Sequence, residues 1–292
     1  MLTIGSLCTG IAGLDLAVAR HFGATPIWMS ENNKRASEFL AARYPDVPNL
    51  GDLRKVDSSQ LEAPDILTAG WPCQSVSGLG SKLGPEDDRW LFDHIVEFVK
   101  NLPARPNWMV FENVQRLLSH DKGRTARGVV GAVAAMGYSL RWGVLRASEA
   151  GLPHLRARWF CVATDASRLE SQRRGERGEL AGPPEEDRRQ RVQGQGVADL
   201  RTAPVHRPET AAFGKFAPAI NRWWDICGRP PPDPLIDDRL NSRFVEWLCG
   251  YEPGYICDVF PGHRTSLRLL GNSVMPPQAE LALAVLTTPP VL

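Results

Sequence analysis

The sequence lacks several features that would assign a class at once. The 292 residues contain no apolar run of about 18 residues, the length of a membrane span, and no charged-then-apolar leader. The six cysteines form no CxxC pair and no zinc-finger spacing with histidine. These absences favour a soluble, cytoplasmic protein with reduced thiols, no membrane contact and no metal.

Net charge is also nearly absent, since 34 basic residues face 33 acidic ones. Nucleic-acid binding would therefore need local clusters of Arg and Lys. From Cys161 to Ala212 there is no aromatic residue, and Arg, Glu, Gly, Gln and Pro dominate, so this stretch buries little apolar surface. Its Arg-rich part, Arg168–Arg207, is a candidate DNA contact, and a solvated linker is an equal alternative because acids nearly cancel its charge.

Short apolar runs alternate with helical patterns before this stretch, which predicts a parallel α/β sheet with ligands at its strand ends. The predicted strands are Leu2–Leu7, Thr25–Ser30, Asp65–Ala69, Trp108–Phe111, Ser139–Arg146 and Trp159–Ala163. The predicted helices are Gly13–His21, Lys34–Tyr44, Arg89–Asn101, Thr125–Met136, Arg243–Cys249 and Gln278–Leu286.

A glycine-rich turn, Gly10 to Gly13, joins the first strand to the first helix. Such a turn lets backbone amides approach a ligand closely, although many are only tight turns. Glu31 ends the second strand, where an acid can accept from ribose hydroxyls. Asp52 ends an apparent third strand-helix unit, where it could meet an adenine amino group. The ordered series predicts an adenosine-bearing cofactor.

Two further strand ends carry reactive side chains. Cys73 follows Pro72 directly after the third predicted strand, and a rigid proline turn would present it as a nucleophile. Glu112 ends the next strand, where an apolar setting would raise its pKa and allow proton donation. Cys161, by contrast, is expected to be a buried structural thiol.

These motifs, in this order, resemble the DNA cytosine-5 methyltransferase family. The resemblance rests on Pro72-Cys73-Gln74 and Glu112-Asn113-Val114, on His154-Leu155-Arg156-Ala157-Arg158, on the block Phe244–Tyr251 and on Gly271-Asn272-Ser273-Val274. Three positions depart from the family pattern. Ser6 stands where the family usually has Asp, Cys8 where a Phe stacks on the cofactor adenine, and His154 where Gln is usual.

The resemblance implies a Rossmann-like α/β domain that uses S-adenosyl-L-methionine to methylate cytosine C5 in double-stranded DNA, on a base flipped out of the duplex. Cys73 would add to C6, Glu112 would contact N3 and the exocyclic amine, and Arg158 with Arg156 would hold O2. The implied cofactor residues are Leu7, Cys8, Gly10, Gly13, Leu14, Glu31, Asn32, Asp52, Leu53, Pro72, Leu91, Asn272 and Val274. Because Cys8 replaces the Phe that stacks on the adenine, the resemblance implies the identity of the donor less specifically than it implies the attack of Cys73 on C6.

The resemblance also divides the chain. Residues 1–164 would form the catalytic and cofactor-binding domain, residues 165–242 a target-recognition region, and residues 243–292 the return to the first domain. A loop over Ser75–Arg89, with Gln74, Ser75, Ser77 and Gly78 against the substrate, would close behind the base. Expected partners are double-stranded DNA and, as a further option, a cognate restriction endonuclease. The short recognition region suggests a monomer.

Several alternatives stay open. The first is an RNA cytosine-5 methyltransferase of the same architecture, and the second a non-catalytic DNA-binding relative. A nicotinamide oxidoreductase would explain the glycine turn and Glu31, but not the Cys73 and Glu112 strand ends. Phe216, Trp223 and Trp224 are expected to pack. Lys215, Arg222, Trp223 and Trp224 would form either an ordered recognition element or a small satellite core.

Overall fold

A computed structural model describes residues 1–72, 90–167 and 208–288. Its central sheet has six strands in the order β2-β1-β3-β4-β6-β5. The strands are β1 (Leu2–Leu7), β2 (Ala24–Ser30), β3 (Ile66–Ala69), β4 (Trp108–Val114), β5 (Tyr138–Arg146) and β6 (Ala157–Asp165). A separate hairpin pairs β7 (Leu235–Ile236) with β8 (Arg239–Leu240).

Eight α-helices are assigned in the described ranges. They are α1 (Gly13–Phe22), α2 (Lys34–Arg43), α3 (Phe92–Asn101), α4 (Arg124–Ala135), α5 (Ala217–Cys227), α6 (Ser242–Leu248), α7 (His263–Asn272) and α8 (Pro276–Thr287). Paired prolines begin α8, a position where the missing N–H costs nothing. None of the helices in these ranges is long and apolar enough to cross a membrane.

The sheet lies between two helical layers. On one face, α1 and α8 cover an apolar cluster around Ile4, Val110 and Phe160. On the other, α3 and α4 cover a cluster that includes Phe111 and Cys161. The expectation that Cys161 is buried is confirmed, because none of its surface is exposed. Since α8 packs against α1, the two ends of the described chain join the same layer.

The sheet is not wholly parallel, so that part of the prediction is wrong. Strand β6 runs antiparallel to both β4 and β5. Only a short connection with a 3-10 helix, Ala147–Ala150, separates β5 from β6. A parallel partner would need a crossover of a dozen or more residues, so the chain turns back instead. Consequently β6 begins at the edge where β3 and β4 end.

The third strand-helix unit expected near Asp52 also does not form. The structure has a single parallel bridge between Met29 and Asn49, followed by the 3-10 helix Leu53–Lys55. Asp52 caps that 3-10 helix by accepting from the Arg54 amide, so it terminates a loop rather than a strand.

Trp223 on α5 belongs to an apolar cluster that also contains Ile11 and Phe39. Trp223 is 3% exposed and donates from Nε1 to the carbonyl of Trp247 on α6. Their rings lie 6.3 Å apart in an edge-on arrangement. The expectation that Phe216 packs here is wrong, because 61% of its surface is exposed. Trp223 therefore anchors α5 to α6, within a larger core than the small satellite core of the second alternative.

Candidate active site

The turn between β1 and α1 is shaped by left-handed backbone. Cys8, Gly10 and Ala12 all have φ between 53° and 60°. The Gly10 amide donates to Glu31 Oε2 over 2.7 Å, and the Asn33 amide donates to Glu31 Oε1 over 2.7 Å. Two backbone donors thus fix the Glu31 carboxylate beside the glycine turn.

Cys8 lies close to both acids of the predicted cofactor series. Burial raises the pKa of the Cys8 thiol, and the charges of Glu31 and Asp52 raise it further. Cys8 is therefore an uncharged thiol at neutral pH. Asp52 instead binds the Arg54 side chain, whose hydrogen bonds lower the pKa of Asp52 to about 2.

A pocket opens between this turn, the end of β3 and the segment that joins α7 to α8. The predicted residues that line it are Leu7, Cys8, Gly10, Gly13, Leu14, Glu112, Asn272 and Val274. The other predicted cofactor residues do not line it, namely Glu31, Asn32, Asp52, Leu53, Pro72 and Leu91. Four of these residues come after β2 in the chain, namely Glu31, Asn32, Asp52 and Leu53. Pro72 and Leu91 lie near the two ends of residues 73–89.

Gly13 permits a close approach between the first and last motifs. A Cβ at Gly13 would lie 2.1 Å from the Val274 carbonyl oxygen and 2.5 Å from the Tyr251 hydroxyl. That hydroxyl donates to the same carbonyl over 2.7 Å. Helix α1 and the closing segment can meet here because residue 13 has no side chain.

Glu112 and Arg158 form an ion pair across β4 and β6. Arg158 Nε lies 3.0 Å from Glu112 Oε1, and 7% of the Glu112 surface is exposed. Burial raises the pKa of the Glu112 carboxyl, and the positive charges of Arg158 and Arg156 offset only part of this effect. The group therefore retains a proton to higher pH than an ordinary glutamate, as the sequence predicted.

The end of β3 is held against Glu112. Extending the register of β3 and β4 places Gly70 opposite Glu112, and a Cβ on Gly70 would lie 3.5 Å from Glu112 Oε2. Asn113 donates from Nδ2 to the Trp71 carbonyl over 3.1 Å, which fixes the backbone just before Pro72. The predicted nucleophile Cys73, and Gln74, Ser75, Ser77 and Gly78, lie outside the described residues.

Arg156 has a different position from the one expected. It donates from Nη1 to the Gly271 carbonyl over 3.0 Å and from Nη2 to the Ser273 carbonyl over 2.6 Å. In this structure it therefore holds the main chain of the segment that joins α7 to α8. His154, just upstream, has its Nε2 3.3 Å from the Leu248 carbonyl, and burial lowers its pKa.

Asp15, Thr68 and Tyr251 are among the residues of the site that sequence reasoning did not assign to it. Asp15 and Thr68 line the pocket, and Tyr251 supports it from outside. Asp15 had one available signal, since it is the acid in the first turn of a helix that follows the glycine turn. Thr68 had none, because a threonine within an apolar strand is ordinary.

Comparison with solved structures shows which fold this is. The chain superposes on the Dnmt2 methyltransferase of S. pombe with a TM-score of 0.63 and 15% identity, over 98% of each chain. The methyltransferase EhMeth of Entamoeba histolytica matches with a TM-score of 0.63 and 13% identity, over 98% of each chain. The protein thus has the Rossmann-like fold of S-adenosylmethionine-dependent methyltransferases.

The sequence comparison is more specific. The family profile described as C-5 cytosine-specific DNA methylase matches residues 2–224. The chain belongs to this family. Type II methyltransferase M.NgoBI of Neisseria gonorrhoeae is 38% identical over 157 residues, which are 53% of this chain and 48% of that protein. M1.ScrFI of Lactococcus lactis subsp. cremoris is 34% identical over 160 residues, 54% and 40% of the two chains. The matched part thus spans half or less of these relatives.

Proposed function

We propose that the protein methylates cytosine at C5 in double-stranded DNA with S-adenosyl-L-methionine as donor. The observation that supports this most directly is the buried Glu112–Arg158 pair, which adjoins the pocket and the end of the strand that leads into Cys73. Family membership and the similarity to type II methyltransferases agree with it.

The residues present suit this cofactor. The Glu31 carboxylate is held beside the glycine turn, where it would accept from ribose hydroxyls, and the start of helix α1 offers backbone amides and a positive dipole end to a carboxylate. When bound, S-adenosyl-L-methionine supplies an electrophilic methyl group. We call the β1–α1 turn, Asp15, Arg156 and Asn272–Val274 the cofactor side of the site, and Glu112, Arg158 and the end of β3 the base side.

On the base side, the Cys73 thiolate adds to C6 of a flipped cytosine. The protonated Glu112 carboxyl donates to N3, which accepts the electron pair displaced by the addition. Arg158 keeps positive charge beside Glu112 and O2 of the base. C5 would then bond to the methyl carbon as the carbon–sulfur bond of the donor breaks, and N3 would return its proton to Glu112. A water molecule or hydroxide would remove the C5 proton, and the electron pair of that bond would expel Cys73 as thiolate from the product.

Expression in a host without cytosine methylation tests the reaction and the nucleophile together. Genomic DNA from cells with wild type, Cys73→Ser or Cys227→Ser would be digested to nucleosides and analysed by mass spectrometry. Cys227 lies on α5 away from the pocket, so this variant controls for the loss of a thiol. We expect 5-methyldeoxycytidine with wild type and Cys227→Ser, and none with Cys73→Ser.

Other results would revise the proposal in specific ways. A heavier modified deoxycytidine would keep the base chemistry and change the transferred group, with Cys8 as the first residue to examine. Modified cytidine in RNA alone would make RNA the substrate. Unmodified DNA and RNA from folded wild-type protein would contradict the enzymatic function and favour a non-catalytic DNA-binding role. A cognate endonuclease and a monomeric state remain further predictions.

A further inference from the structure

Asp15 is a buried carboxylate that lines the cofactor pocket. It lies in the first turn of α1 with 4% of its surface exposed. Ser6 on β1 and Thr68 on β3 line the pocket beside it. The acid is therefore presented to any ligand in the pocket, although solvent scarcely reaches it.

The partners of Asp15 are neutral. The Thr68 hydroxyl donates to Asp15 Oδ1. Thr9 Oγ1 donates to Ser6 Oγ over 2.9 Å, which leaves the Ser6 proton for the Asp15 carboxylate. Within residues 1–72, 90–167 and 208–288, none of the ion pairs between side chains includes Asp15. Burial raises the pKa of the Asp15 carboxyl, and hydrogen bonds from Thr68, Ser6 and its own backbone amide oppose this effect. A cationic ligand group beside Asp15 would favour the charged form and would be bound favourably.

Ser6, which borders Asp15, occupies a position where the family usually has an acid. The family usually has Asp at position 6, and here the Ser6 hydroxyl hydrogen-bonds to the carboxylate that α1 provides. Ser6 and Asp15 both line the pocket, so an acid at either position would border the same space.

We propose that Asp15 binds a cationic group of the cofactor and replaces the acid that the family usually carries at position 6. This inference rests on the proposed cofactor. S-adenosyl-L-methionine carries two positive charges, the sulfonium and the α-ammonium, and either would interact favourably with a carboxylate. Asp15 is accordingly a binding residue on the cofactor side that selects for positive charge.

Calorimetric titration of the intact chain with three probes separates these possibilities. S-adenosyl-L-methionine carries both charges, S-adenosyl-L-homocysteine keeps only the α-ammonium, and 5′-methylthioadenosine keeps neither. We expect Asp15→Asn to weaken binding of S-adenosyl-L-methionine about tenfold. Equal weakening of S-adenosyl-L-homocysteine would assign the ammonium, and unchanged binding of it would assign the sulfonium. Binding of 5′-methylthioadenosine should stay constant.

Glu97→Gln is the matched control, because Glu97 is exposed on α3 and pairs with Lys100. It should leave the binding of all three probes unchanged. Adding Ser6→Asp to Asp15→Asn should restore most of the lost affinity, since it returns an acid to the same edge of the pocket. If Asp15→Asn alone does not fold, this double variant carries the test by keeping the wild-type preference for charged probes.

Two results would overturn the inference. One is equal weakening of all three probes by Asp15→Asn, which would indicate a purely structural acid. The other is full affinity in Asp15→Asn, or no recovery in the folded double variant. If wild type binds none of the probes, the proposed cofactor itself is wrong, which is a separate outcome.

Discussion

The base side and the cofactor side of the site are held together by different kinds of contact. On the base side, one ion pair between Glu112 and Arg158 joins two antiparallel strands. On the cofactor side, the main contacts involve main-chain atoms, including the carbonyls of Gly271, Ser273 and Val274. Single side-chain changes should therefore affect chemistry on the base side and ligand affinity on the cofactor side.

The largest effect is expected from Glu112→Gln. Loss of the proton donor should lower kcat by about 10²–10⁴-fold with little change in cofactor affinity. Because burial raises the pKa of Glu112, its neutral form is present at low pH and is lost as pH rises through that raised value. The contribution of Glu112 to kcat should decline over the same range in wild type, and Glu112→Gln should lack this step in a kcat–pH profile.

A paired substitution of two neighbouring arginines tests whether the sides are separable. Arg158→Ala should lower kcat by about a hundredfold, because it removes fixed positive charge beside the base. Arg156→Ala should instead raise the KM for cofactor about tenfold with a smaller change in kcat, because it releases the carbonyls of Gly271 and Ser273. Steady-state kinetics with each substrate varied would measure both. Equal effects of the two variants on kcat would contradict the division.

Gly13→Ala tests the main-chain contact of the cofactor side. The added methyl would meet the Val274 carbonyl and the Tyr251 hydroxyl, so we expect a loss of about 1–3 kcal/mol in unfolding free energy and weaker cofactor binding. Gly128→Ala in α4 is the control, since a Cβ there has open space and Ala favours a helix. Denaturant unfolding should show opposite signs for the two variants, and a stable Gly13→Ala protein would contradict the close approach.

The smallest effect is expected from Cys8→Phe. An aromatic face beside the cofactor adenine is worth about 1 kcal/mol, or a few-fold in affinity. The left-handed backbone at residue 8 is unfavourable for Phe and would offset part of this gain. We expect modestly tighter binding of S-adenosyl-L-homocysteine by calorimetry and no change in the product. Weaker binding would show that the pocket has adapted to the smaller side chain.

Local patterns predicted much of the sheet but not the direction of every strand. Leu2–Leu7 was predicted to its ends because its apolar run is bounded by clear turns. The reversal of β6 was missed, since an apolar strand reads the same in either direction and the decisive fact is the short connection before it. The strand predicted before Asp52 is not present, because within the described residues the only pairing there is the single bridge between Met29 and Asn49.

Local patterns also predicted some residues of the site, but not those whose contacts depend on distant parts of the chain. Glu112 was found because an acid at the end of an apolar strand is conspicuous in sequence. The position of Arg156 could not be predicted, because its partners are carbonyls of a segment that lies far along the chain. Asp15 was passed over because the first turn of a helix is a common place for a solvated acid, and only the packing of β1 and β3 makes it buried.

The aromatic contact between Trp71 and Trp90 has a consequence for how the protein could be redesigned. Their ring centroids lie 6.4 Å apart, within a cluster that also contains Phe92 and Phe111. The described residues on either side of 73–89 are therefore anchored next to each other. Because the entropy of closing a loop grows only slowly with its length, residues could be inserted or removed between these two anchors without displacing β3 or α3.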